Sequence, residues 1–428
     1  MNTPIAPPRA LNARVPGSKS LTNRALLLAT AADATSVLAA PLVSEDTVAF
    51  RDALPQLGSH VESLPDNSAW RVTGIGCGPD GDGRIWCADA GTAARFLPPL
   101  AATGHGDFVF EGSAQLTARP VAPLADALRR LGALVDTAPG GTLPLRVRSR
   151  GLDGGSLDVD GGLSSQFLSG LLMAGPLLRT PLLVRVREMV SRPYIDMTIA
   201  LMRHFGAEVA EDFPGEFTVR PTGYRAADLR IEPDASTASY FFAAAAVTGC
   251  SVTVDGLGLG SLQGDVRFVD VLERTGARVR RGPDATTVTG TGVLRGGFTV
   301  DMGEISDTFM TLAAIAPLAD APITVRGIGH ARLKESDRIE AVARNLRASG
   351  IRTETGRDWI TVHPGSTSAT RIACQRDHRV AMAFSVLNLR TGNLTLDDPG
   401  CVAKTFPGFH EEMHRLFPQH PLPASARQ

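Results

Sequence analysis

Charged and hydroxylic side chains stand at the beginnings of several apolar segments of this 428-residue sequence. Near the N-terminus, Lys19 and Ser20 precede a run rich in Leu and Ala, and Arg24 follows one helical turn later. A cation at the positive end of a helix dipole is electrostatically costly unless an anion is present. The segment therefore predicts phosphate or carboxylate binding, with a forked guanidinium and a lysine acting as a point charge. A solvated basic pair in a loop is the alternative.

Other segments of the N-terminal half carry hydrogen-bonding groups. Gly91 precedes an apolar run, and a glycine lets the backbone approach a ligand closely. Arg119 stands directly before a proline, which favours an extended backbone. Ser164, Ser165 and Gln166 stand together at one helix start, and they are more than capping requires.

The C-terminal half adds acids and bases. Asp307 precedes an apolar helix, a setting expected to raise the pKa of the carboxyl group and to make it a proton acceptor. A plain N-cap aspartate is the alternative. Lys334, Glu335 and Arg338 fall within five positions, which met alone would indicate a solvated helix start.

Two more basic positions follow in the same half. Arg379 belongs to an Asp-His-Arg segment that runs into an apolar stretch, and Lys404 lies near a tight turn. No second histidine stands at metal-ligand spacing, so a metal is not expected. The sequence has no P-loop, nucleophile-elbow or dinucleotide fingerprint. These residues predict anion chemistry without a cofactor.

Two interleaved series of segments would position these side chains. In one series a helix end meets a glycine before a short strand, at Gly58, Gly132, Gly206, Gly276 and Gly350, with spacings of 74, 74, 70 and 74 residues. In the other, polar residues open apolar helices near Ser20, Thr92, Ser165, Thr237, Asp307 and His378, with spacings of 72, 73, 72, 70 and 71. Two locked series with one period indicate a repeat.

The repeat predicts an α/β (α+β) fold of six βαβαββ units around buried helices. Units of this kind place equivalent helix starts alike, so that positive dipole ends converge on an anion site. Six units divide into an N-terminal domain, 15–232, and a discontinuous C-terminal domain, 1–14 plus 233–428, joined by a double-crossover hinge. The sixth unit lacks a closing strand, and we expect the N-terminal segment to supply it.

Composition excludes several classes of protein. The formal net charge of −1 argues against nucleic-acid and membrane-surface binding. The five cysteines are widely spaced, which favours free thiols in a reducing compartment. No secretory signal is apparent, and the longest weakly polar run is far shorter than the roughly 20 residues of a membrane span. We therefore expect a cytoplasmic protein, and a monomer because no exposed apolar helix is evident. Only three of the 43 basic residues are lysines.

Nine motifs resemble one family in order and spacing along nearly the whole chain. They are PGSKSLTNRALLLA, DAGTAARF, LTARPVAPL, SSQFLSGLL, SRPYIDMT, ISDTFMTLA, LKESDRI, DHRVAM and KTFPGF. They closely resemble the 5-enolpyruvylshikimate-3-phosphate synthases, also called 3-phosphoshikimate 1-carboxyvinyltransferases. The resemblance implies two domains of three βαβαββ units and transfer of the enolpyruvyl group of phosphoenolpyruvate to the 5-hydroxyl of 3-phosphoshikimate. It also implies that no metal or organic cofactor is needed and that the domains close on the substrates.

The resemblance also implies a role for each matching residue. The residues implied to bind 3-phosphoshikimate are Lys19, Ser20, Arg24, Ser164, Ser165, Gln166, Ser191, Asp307, His330 and Lys334. Those implied to bind phosphoenolpyruvate are Lys19, Gly91, Arg119, Gln166, Arg338, Arg379 and Lys404. Asp307 would accept the proton of the attacking hydroxyl, Glu335 would deliver a proton to the methylene carbon, and Lys19 would assist. All three lysines are thus implied to lie at the active site.

Three positions depart from the commonest family pattern. Asp89 and His330 replace asparagines, and Phe96 replaces a frequent proline. Gly91 matches the form of the pocket associated with glyphosate sensitivity, so we expect glyphosate to compete with phosphoenolpyruvate.

Two rival functions remain to be separated. The sister enolpyruvyl transferase acting on UDP-N-acetylglucosamine has an asparagine after the first lysine and a reactive cysteine in its N-terminal half. Ser20 follows Lys19 here, and no cysteine lies between Cys87 and Cys250. A catalytically dead anion sensor is the other rival, and retention of Asp307 and Glu335 disfavours it.

Overall fold

The computed structural model describes residues 9–160, 162 and 164–420. The chain forms two compact units, one of Met1–Pro16 with Pro233–Gln428 and one of Gly17–Glu232. We call Gly17–Glu232 the N-unit and the other the C-unit. The chain therefore passes from one unit to the other twice, after Pro16 and after Glu232.

The helices alternate with the strands along both units. They are α1 (Lys19–Ala31), α2 (Glu45–Ala53), α3 (Ala93–Ala102), α4 (Ala114–Thr117), α5 (Ala122–Arg130), α6 (Ser165–Ala174), α7 (Arg192–His204), α8 (Ala235–Thr248), α9 (Phe268–Arg274), α10 (Phe309–Ile315), α11 (Arg338–Ala348), α12 (His378–Thr391) and α13 (Phe409–Leu416).

The strands are short. They are β1 (Ala10–Asn12), β2 (Thr35–Ala39), β3 (His60–Ser63), β4 (Ala69–Thr73), β5 (Asp80–Trp86), β6 (His105–Glu111), β7 (Leu134–Ala138), β8 (Thr142–Arg150), β9 (Gly155–Asp160), β10 (Leu182–Arg187), β11 (Val209–Phe213), β12 (Glu216–Val219), β13 (Leu229–Arg230), β14 (Ser251–Asp255), β15 (Arg278–Arg281), β16 (Ala285–Thr289), β17 (Phe298–Asp301), β18 (Ile323–Arg326), β19 (Thr353–Thr355), β20 (Ile360–Val362), β21 (Thr370–Ile372) and β22 (Leu394–Leu396).

The described residues form six small sheets, three in each unit. A typical sheet has the order β5-β6-β8-β7, in which β5 and β6 are parallel and the other neighbours are antiparallel. Helix α3 joins the parallel pair, and a second helical segment precedes the antiparallel hairpin. The predicted βαβαββ repeat and the mixed α/β fold are therefore confirmed.

The glycines that mark the repeat take the backbone conformation that the sequence predicted. Each follows a helical segment and has a positive φ, which L side chains rarely adopt. The values are 87° for Gly58, 103° for Gly132, 85° for Gly206, 98° for Gly276 and 85° for Gly350.

The N-terminal strand does not complete the sixth repeat, so this prediction is wrong. Strand β1 instead pairs in parallel with β14 of the fourth repeat, with Ala10 opposite Ser251. Strand β13 likewise pairs with β2 of the first repeat, with Leu229 opposite Leu38. Each of these strands directly precedes a crossing between the units and stays in the unit that the chain is leaving. The first repeat of each unit therefore takes its first strand from elsewhere in the chain.

The second series of helices forms the centre of each unit. In the N-unit α3 contacts both α1 and α6, and Arg24 of α1 donates to Ser169 of α6, whereas α8, α10 and α12 all contact one another in the C-unit. Nearly every residue of α1, α8 and α12 is buried, as their all-round apolar sequences predicted. In the part of the chain that the structure describes, no helix has the length and apolar character needed to cross a membrane.

Candidate active site

In the C-unit, three cations converge on one carboxylate. Asp307 lies directly before Thr308, the N-cap of α10. Its Oδ1 accepts from the ammonium of Lys334 and lies 3.0 Å from a terminal nitrogen of Arg338. Its Oδ2 lies 2.7 Å from a terminal nitrogen of Arg379. The structure thus joins residues that are 27 to 72 positions apart in the sequence.

Arg338 in turn binds three carboxylates. It is the first residue of α11, and its side chain is 1% exposed. Besides Asp307, it contacts Glu335 Oε2 at 2.7 Å and Asp377 Oδ2 at 2.9 Å. Burial alone would lower the pKa of Arg338, but the carboxylates of Asp377, Glu335 and Asp307 outweigh it and raise the pKa. The segment that alone would indicate a solvated helix start is therefore part of a buried ionic network.

The pKa of Asp307 shifts in the direction opposite to the one predicted from its apolar helix. Burial pushes this pKa upward, as expected, but the positive charges of Arg379, Lys334 and Arg338 outweigh burial and hold it well below the usual range. In this arrangement Asp307 is a carboxylate held by cations.

Asp377 holds several members of this cluster in place, although it was not among the predicted site residues. Its side chain is fully buried, and it caps α12 by accepting from the backbone N–H of Arg379. It also accepts from Ser336 Oγ at 2.9 Å and from Nε of Arg338. An aspartate directly before a helical His-Arg pair is an N-cap signal that could have identified it.

Asp265 is a second buried acid that sequence reasoning missed. It accepts a short hydrogen bond from Ser236 Oγ in the first turn of α8, and it is 3% exposed. Burial, with the negative charge of Asp307 as the second cause, raises its pKa to about 6. No periodic pattern marks this residue, so the sequence offered no signal for it.

His330 and Lys404 lie in short 3₁₀ helices of the C-unit. His330 belongs to Gly329–Leu333, and its Nε2 lies 2.8 Å from Ser306 Oγ. Burial, followed by the positive charge of Lys334, lowers the pKa of His330 to about 4. Lys404 ends Pro399–Lys404, is buried, and lies in a segment that packs on α12.

In the N-unit, the start of α1 holds Lys19 beside an acid. Lys19 and Ser20 are the first two residues of the helix, which Ser18 caps. The Nζ of Lys19 lies 3.1 Å from Oδ2 of Asp46, which is 3% exposed and belongs to the first turn of α2. Asp46 was not among the predicted residues. Its position within an acidic N-terminal turn gave no reason to pair it with Lys19.

Arg24 lies inside the N-unit, where neutral groups surround its guanidinium. It is 1% exposed and donates to Thr198 Oγ1 at 2.7 Å and to Ser169 Oγ at 3.2 Å. A further nitrogen donates to the backbone carbonyl of Ser20. The ring of Phe96 lies 5.1 Å from the guanidinium carbon, a cation–π distance. Burial lowers the pKa of Arg24 to about 10.

Gly91 and Arg119 are brought together by close packing. A Cβ atom on Gly91 would stand 2.5 Å from a terminal nitrogen of Arg119, so only glycine leaves room for this guanidinium. Arg95 donates to the carbonyl of Gly91 at 3.0 Å and so holds the backbone at Gly91 in place. Asp89 accepts a short hydrogen bond from Ser113 Oγ. The sequence predicted that Gly91 lets a ligand approach the backbone, and in the structure the guanidinium of Arg119 lies against this glycine.

Two further helix starts carry the remaining predicted residues. Ser164 caps α6 and accepts from the backbone N–H of Gln166 at 3.2 Å, with Ser165 as the first helical residue. The side-chain Oε1 of Gln166 is buried without a hydrogen-bond partner among the described residues. Ser191 precedes α7 with a φ of 54°, a left-handed conformation that is unusual for serine. Such a buried acceptor and strained residue are typical of binding sites.

One groove of the N-unit lies apart from these residues. It has a volume of about 860 Å³, and Asp80, Arg148 and Arg179 are among its lining residues. None of the predicted residues lines it. This groove is therefore separate from the predicted site residues.

Comparison with known proteins gives one consistent family. The sequence model of the family described as EPSP synthase (3-phosphoshikimate 1-carboxyvinyltransferase) matches residues 6–413. A relative from Nostoc punctiforme, named 3-phosphoshikimate 1-carboxyvinyltransferase, is 40% identical over 409 residues, which are 95% of this chain and 96% of the relative.

Solved structures agree with the sequence comparison. An EPSP synthase from Acinetobacter baumannii is 26% identical, covers 96% of both chains and superposes with a TM-score of 0.78. The enolpyruvyl transferase NikO from Streptomyces tendae is 18% identical, covers 96% of this chain and 95% of its own, and has a TM-score of 0.75. At that identity the second likeness shows a shared fold.

Proposed function

Because the chain belongs to the EPSP synthase family, we propose that it transfers the enolpyruvyl group of phosphoenolpyruvate to the 5-hydroxyl of 3-phosphoshikimate and releases phosphate. The observation that carries the proposal is the cluster of Lys334, Glu335, Arg338 and Arg379 around Asp307. The reaction joins two anions and needs both an acid and a base, and this cluster contains cations and two carboxylates.

We assign 3-phosphoshikimate to hydroxyl, amide and ammonium groups at helix starts. Backbone N–H groups at such starts favour anions, and serine hydroxyls pair with phosphate and sugar oxygens. The unpartnered Oε1 of Gln166 supports its share in this binding. The residues proposed are Lys19, Ser20, Arg24, Ser164, Ser165, Gln166, Ser191, Asp307, His330 and Lys334.

Arg24 is buried, and we propose that it contributes to the 3-phosphoshikimate site indirectly. Its guanidinium contacts the carbonyl of Ser20 and holds the first turn of α1. We therefore propose that it supports the 3-phosphoshikimate site through Ser20 and through its positive charge.

We assign phosphoenolpyruvate to the positive side chains. Arginine forms two parallel hydrogen bonds with a carboxylate or a phosphate, and lysine approaches as a point charge. Gly91 lets the guanidinium of Arg119 lie against the loop, and Gln166 adds an amide. The residues proposed are Lys19, Gly91, Arg119, Gln166, Arg338, Arg379 and Lys404.

The proposed chemistry is addition followed by elimination. Glu335 delivers a proton to the methylene carbon of phosphoenolpyruvate while the 5-hydroxyl oxygen attacks the neighbouring carbon, and Asp307 accepts the hydroxyl proton. The tetrahedral adduct then loses a proton from the former methylene carbon, back to Glu335, together with phosphate. Cations fixed around the phosphate stabilise it as a leaving group, and Lys19 assists.

The low pKa of Asp307 fits this role once the substrate anions are considered. Arg338 and Arg379 are proposed to bind phosphoenolpyruvate, and each arginine now also neutralises Asp307. When a substrate anion shares these cations, the carboxylate of Asp307 loses part of its stabilisation and its pKa rises. Substrate binding would thereby turn a neutralised carboxylate into a base.

Phosphate release is the direct test. We expect the protein to release phosphate from phosphoenolpyruvate only when 3-phosphoshikimate is present. Release that does not depend on 3-phosphoshikimate, or none at all, would refute the proposal. Replacing 3-phosphoshikimate by UDP-N-acetylglucosamine in the same assay separates the sister enzyme.

Glu335→Gln separates an enzyme from an anion sensor. We expect this variant to lose turnover by more than about 100-fold, because proton transfer typically contributes 10²–10⁴-fold. Binding of 3-phosphoshikimate, measured by calorimetry, should persist. Glu340→Gln, at a glutamate with a 40% exposed side chain in α11, which begins three residues after Glu335, is the matched control and should retain turnover.

A further inference from the structure

Lys334 divides its ammonium protons between a carboxylate and a hydroxyl. It donates to Oδ1 of Asp307, and its Nζ lies 3.1 Å from Oγ of Ser306. The ring Nε2 of His330 lies 2.8 Å from the same hydroxyl oxygen. Ser306 is fully buried, whereas His330 and Lys334 are partly exposed. The four side chains form a hydrogen-bonded chain, His330–Ser306–Lys334–Asp307.

The chemistry of the groups fixes the first of these hydrogen bonds. An ammonium can only donate, so Oγ of Ser306 accepts from Lys334. The tautomer of His330 decides the direction of the second, and we assign the hydroxyl proton of Ser306 to it, so that Nε2 accepts. An imidazole that accepts at Nε2 is neutral and carries its proton on Nδ1. The lowered pKa of His330, about 4, agrees with a neutral ring.

We propose that Ser306 and His330 are positioning residues for Lys334, and that they keep its ammonium on Asp307 while anionic substrate binds. The inference rests on the proposed function, in which Arg338 and Arg379 bind phosphoenolpyruvate. Without the contact to Ser306, the ammonium of Lys334, at the end of a flexible four-carbon chain, would turn from Asp307 towards the incoming phosphate. When Ser306 holds this ammonium, Asp307 keeps one positively charged partner. The carboxylate of Asp307 then stays oriented to accept the hydroxyl proton.

A double-mutant cycle tests the chain of contacts. We expect Ser306→Ala to lower kcat by about tenfold or more with little change in the KM for phosphoenolpyruvate, because small misplacements at a reacting group are costly. His330→Phe should lower kcat in the same way. The kcat of the double variant should be no lower than that of Ser306→Ala alone, because His330 acts on Lys334 through Ser306. A direct contact of His330 with 3-phosphoshikimate would change the KM for that substrate instead. His330→Gln should recover most of the activity, since its amide oxygen can accept at the position of Nε2.

Two further measurements exclude a general effect of removing a buried hydroxyl group and a failure of the variant to fold. Ser349→Ala removes another buried serine hydroxyl of the C-unit, one that donates to the carbonyl of Asn345 at 2.8 Å, and it should keep the original kcat. In the unsubstituted protein, ¹⁵N NMR should show His330 protonated on Nδ1 at pH 7. This measurement needs no variant, so it stands even if Ser306→Ala fails to fold.

Several results would overturn the inference. An unchanged kcat in Ser306→Ala would do so, as would losses that add in the double variant, since these would show that His330 acts independently. An Nε2-protonated or positively charged ring at pH 7 would also contradict it. Failure of the unsubstituted protein to release phosphate from phosphoenolpyruvate when 3-phosphoshikimate is present would instead refute the proposed function.

Discussion

Two buried arginines show how differently the units use one repeat. Arg24 of the N-unit and Arg338 of the C-unit are each 1% exposed, and both lie in the first two turns of a helix. Hydroxyls, carbonyls and an aromatic ring surround Arg24, and burial lowers its pKa to about 10. Three carboxylates surround Arg338, and they raise its pKa despite burial.

The comparison separates two ways of preparing a site for anions. In the N-unit the helix starts present hydroxyl and amide groups, and a buried guanidinium adds positive charge without a carboxylate in contact. In the C-unit the cations are paired with the carboxylates of Asp307, Glu335 and Asp377. The first arrangement suits recognition of an anion, and the second suits proton transfer, because a change of partner alters the basicity of the acids.

The largest effect should come from Arg338→Met. Removing this cation leaves the carboxylates of Asp307, Glu335 and Asp377 facing one another in a buried site. Loss of one partner from a buried ion pair typically costs about 3–5 kcal/mol. We expect a loss of that size in the free energy of unfolding of the C-unit, together with loss of turnover. Denaturant titration measures the first, and hydrogen exchange with mass spectrometry assigns it to a unit.

Arg24→Met is the matched variant in the N-unit. Its partners Ser169 and Thr198 already lie 2.9 Å apart and can pair with each other when the guanidinium is gone. The cost should therefore be about 1–3 kcal/mol, the range for disturbed neutral hydrogen bonds. Equal destabilisation by the two variants would show that the environments of the two arginines do not differ in energy as their contacts indicate.

The next largest difference is expected between the activities of Lys404→Arg and Lys19→Arg. Lys404 is 5% exposed, so the larger planar group of Lys404→Arg has no room at the place of the ammonium. We expect its kcat/KM for phosphoenolpyruvate to fall more than tenfold, since a displacement of about 1 Å at a reacting site costs roughly 100-fold. Lys19→Arg should lose less, because the side chain is 14% exposed and arginine can still pair with Asp46.

Steady-state kinetics with thermal unfolding checks this pair of variants. Both should unfold within a few degrees of the unsubstituted protein. Full activity of Lys404→Arg with unchanged phosphoenolpyruvate affinity would defeat this interpretation of the lysines.

Much of this arrangement follows from local sequence patterns. Glycines such as Gly58 and Gly132, 74 residues apart, marked helix ends in successive repeats. Polar residues before apolar runs marked the helix starts, because capping and burial are local requirements. Strand pairing is not local. Ala10 meets Ser251 only after two crossings between units, so repeat counting assigned β1 to the wrong sheet.

The balance of charges around Asp307 also could not be predicted from the neighbouring sequence. The apolar sequence after Asp307 correctly indicated burial, but three cations distant in sequence decide the direction of its pKa shift. Asp46 and Asp265 escaped notice because a single aspartate has no periodicity, and only the folded chain places Asp46 on Lys19 or Asp265 near Asp307.

A moderate effect is expected from Gly91→Ala in the N-unit. The added methyl group would stand 2.5 Å from a terminal nitrogen of Arg119 and would displace that guanidinium. We expect the KM for phosphoenolpyruvate to rise about tenfold with little change in stability, since displacing one hydrogen-bonding cation costs about 1.5–3 kcal/mol of binding. Competition by glyphosate should weaken in parallel if it uses the same cation.

Gly260→Ala provides the control for this substitution. No atom lies within 4 Å of the added methyl at Gly260, so kinetics and stability should stay unchanged. An unaltered KM in Gly91→Ala would mean that Arg119 does not bind phosphoenolpyruvate.

The smallest effect should be the pH dependence that Asp265 gives to the C-unit. Its pKa in the folded protein, about 6, lies above the ordinary value of 3.8, so the folded state favours the protonated acid. This contribution to stability is complete below the ordinary pKa and is lost as the pH rises through about 6. Asp265→Asn removes that loss. Relative to the unsubstituted protein, the variant should therefore become more stable as the pH rises from 4 to 7, in denaturant midpoints measured at each pH.

Asp301→Asn, at an aspartate with a 58% exposed side chain in the same unit, controls for removal of one carboxylate. A stability difference between Asp265→Asn and the unsubstituted protein that stays constant from pH 4 to 7 would place Asp265 outside the ionic network. The C-unit would then owe its pH response to the residues around Asp307 alone. In that case the contrast between the two units would depend only on the cluster around Asp307, and the burial of Asp265 would add nothing to it.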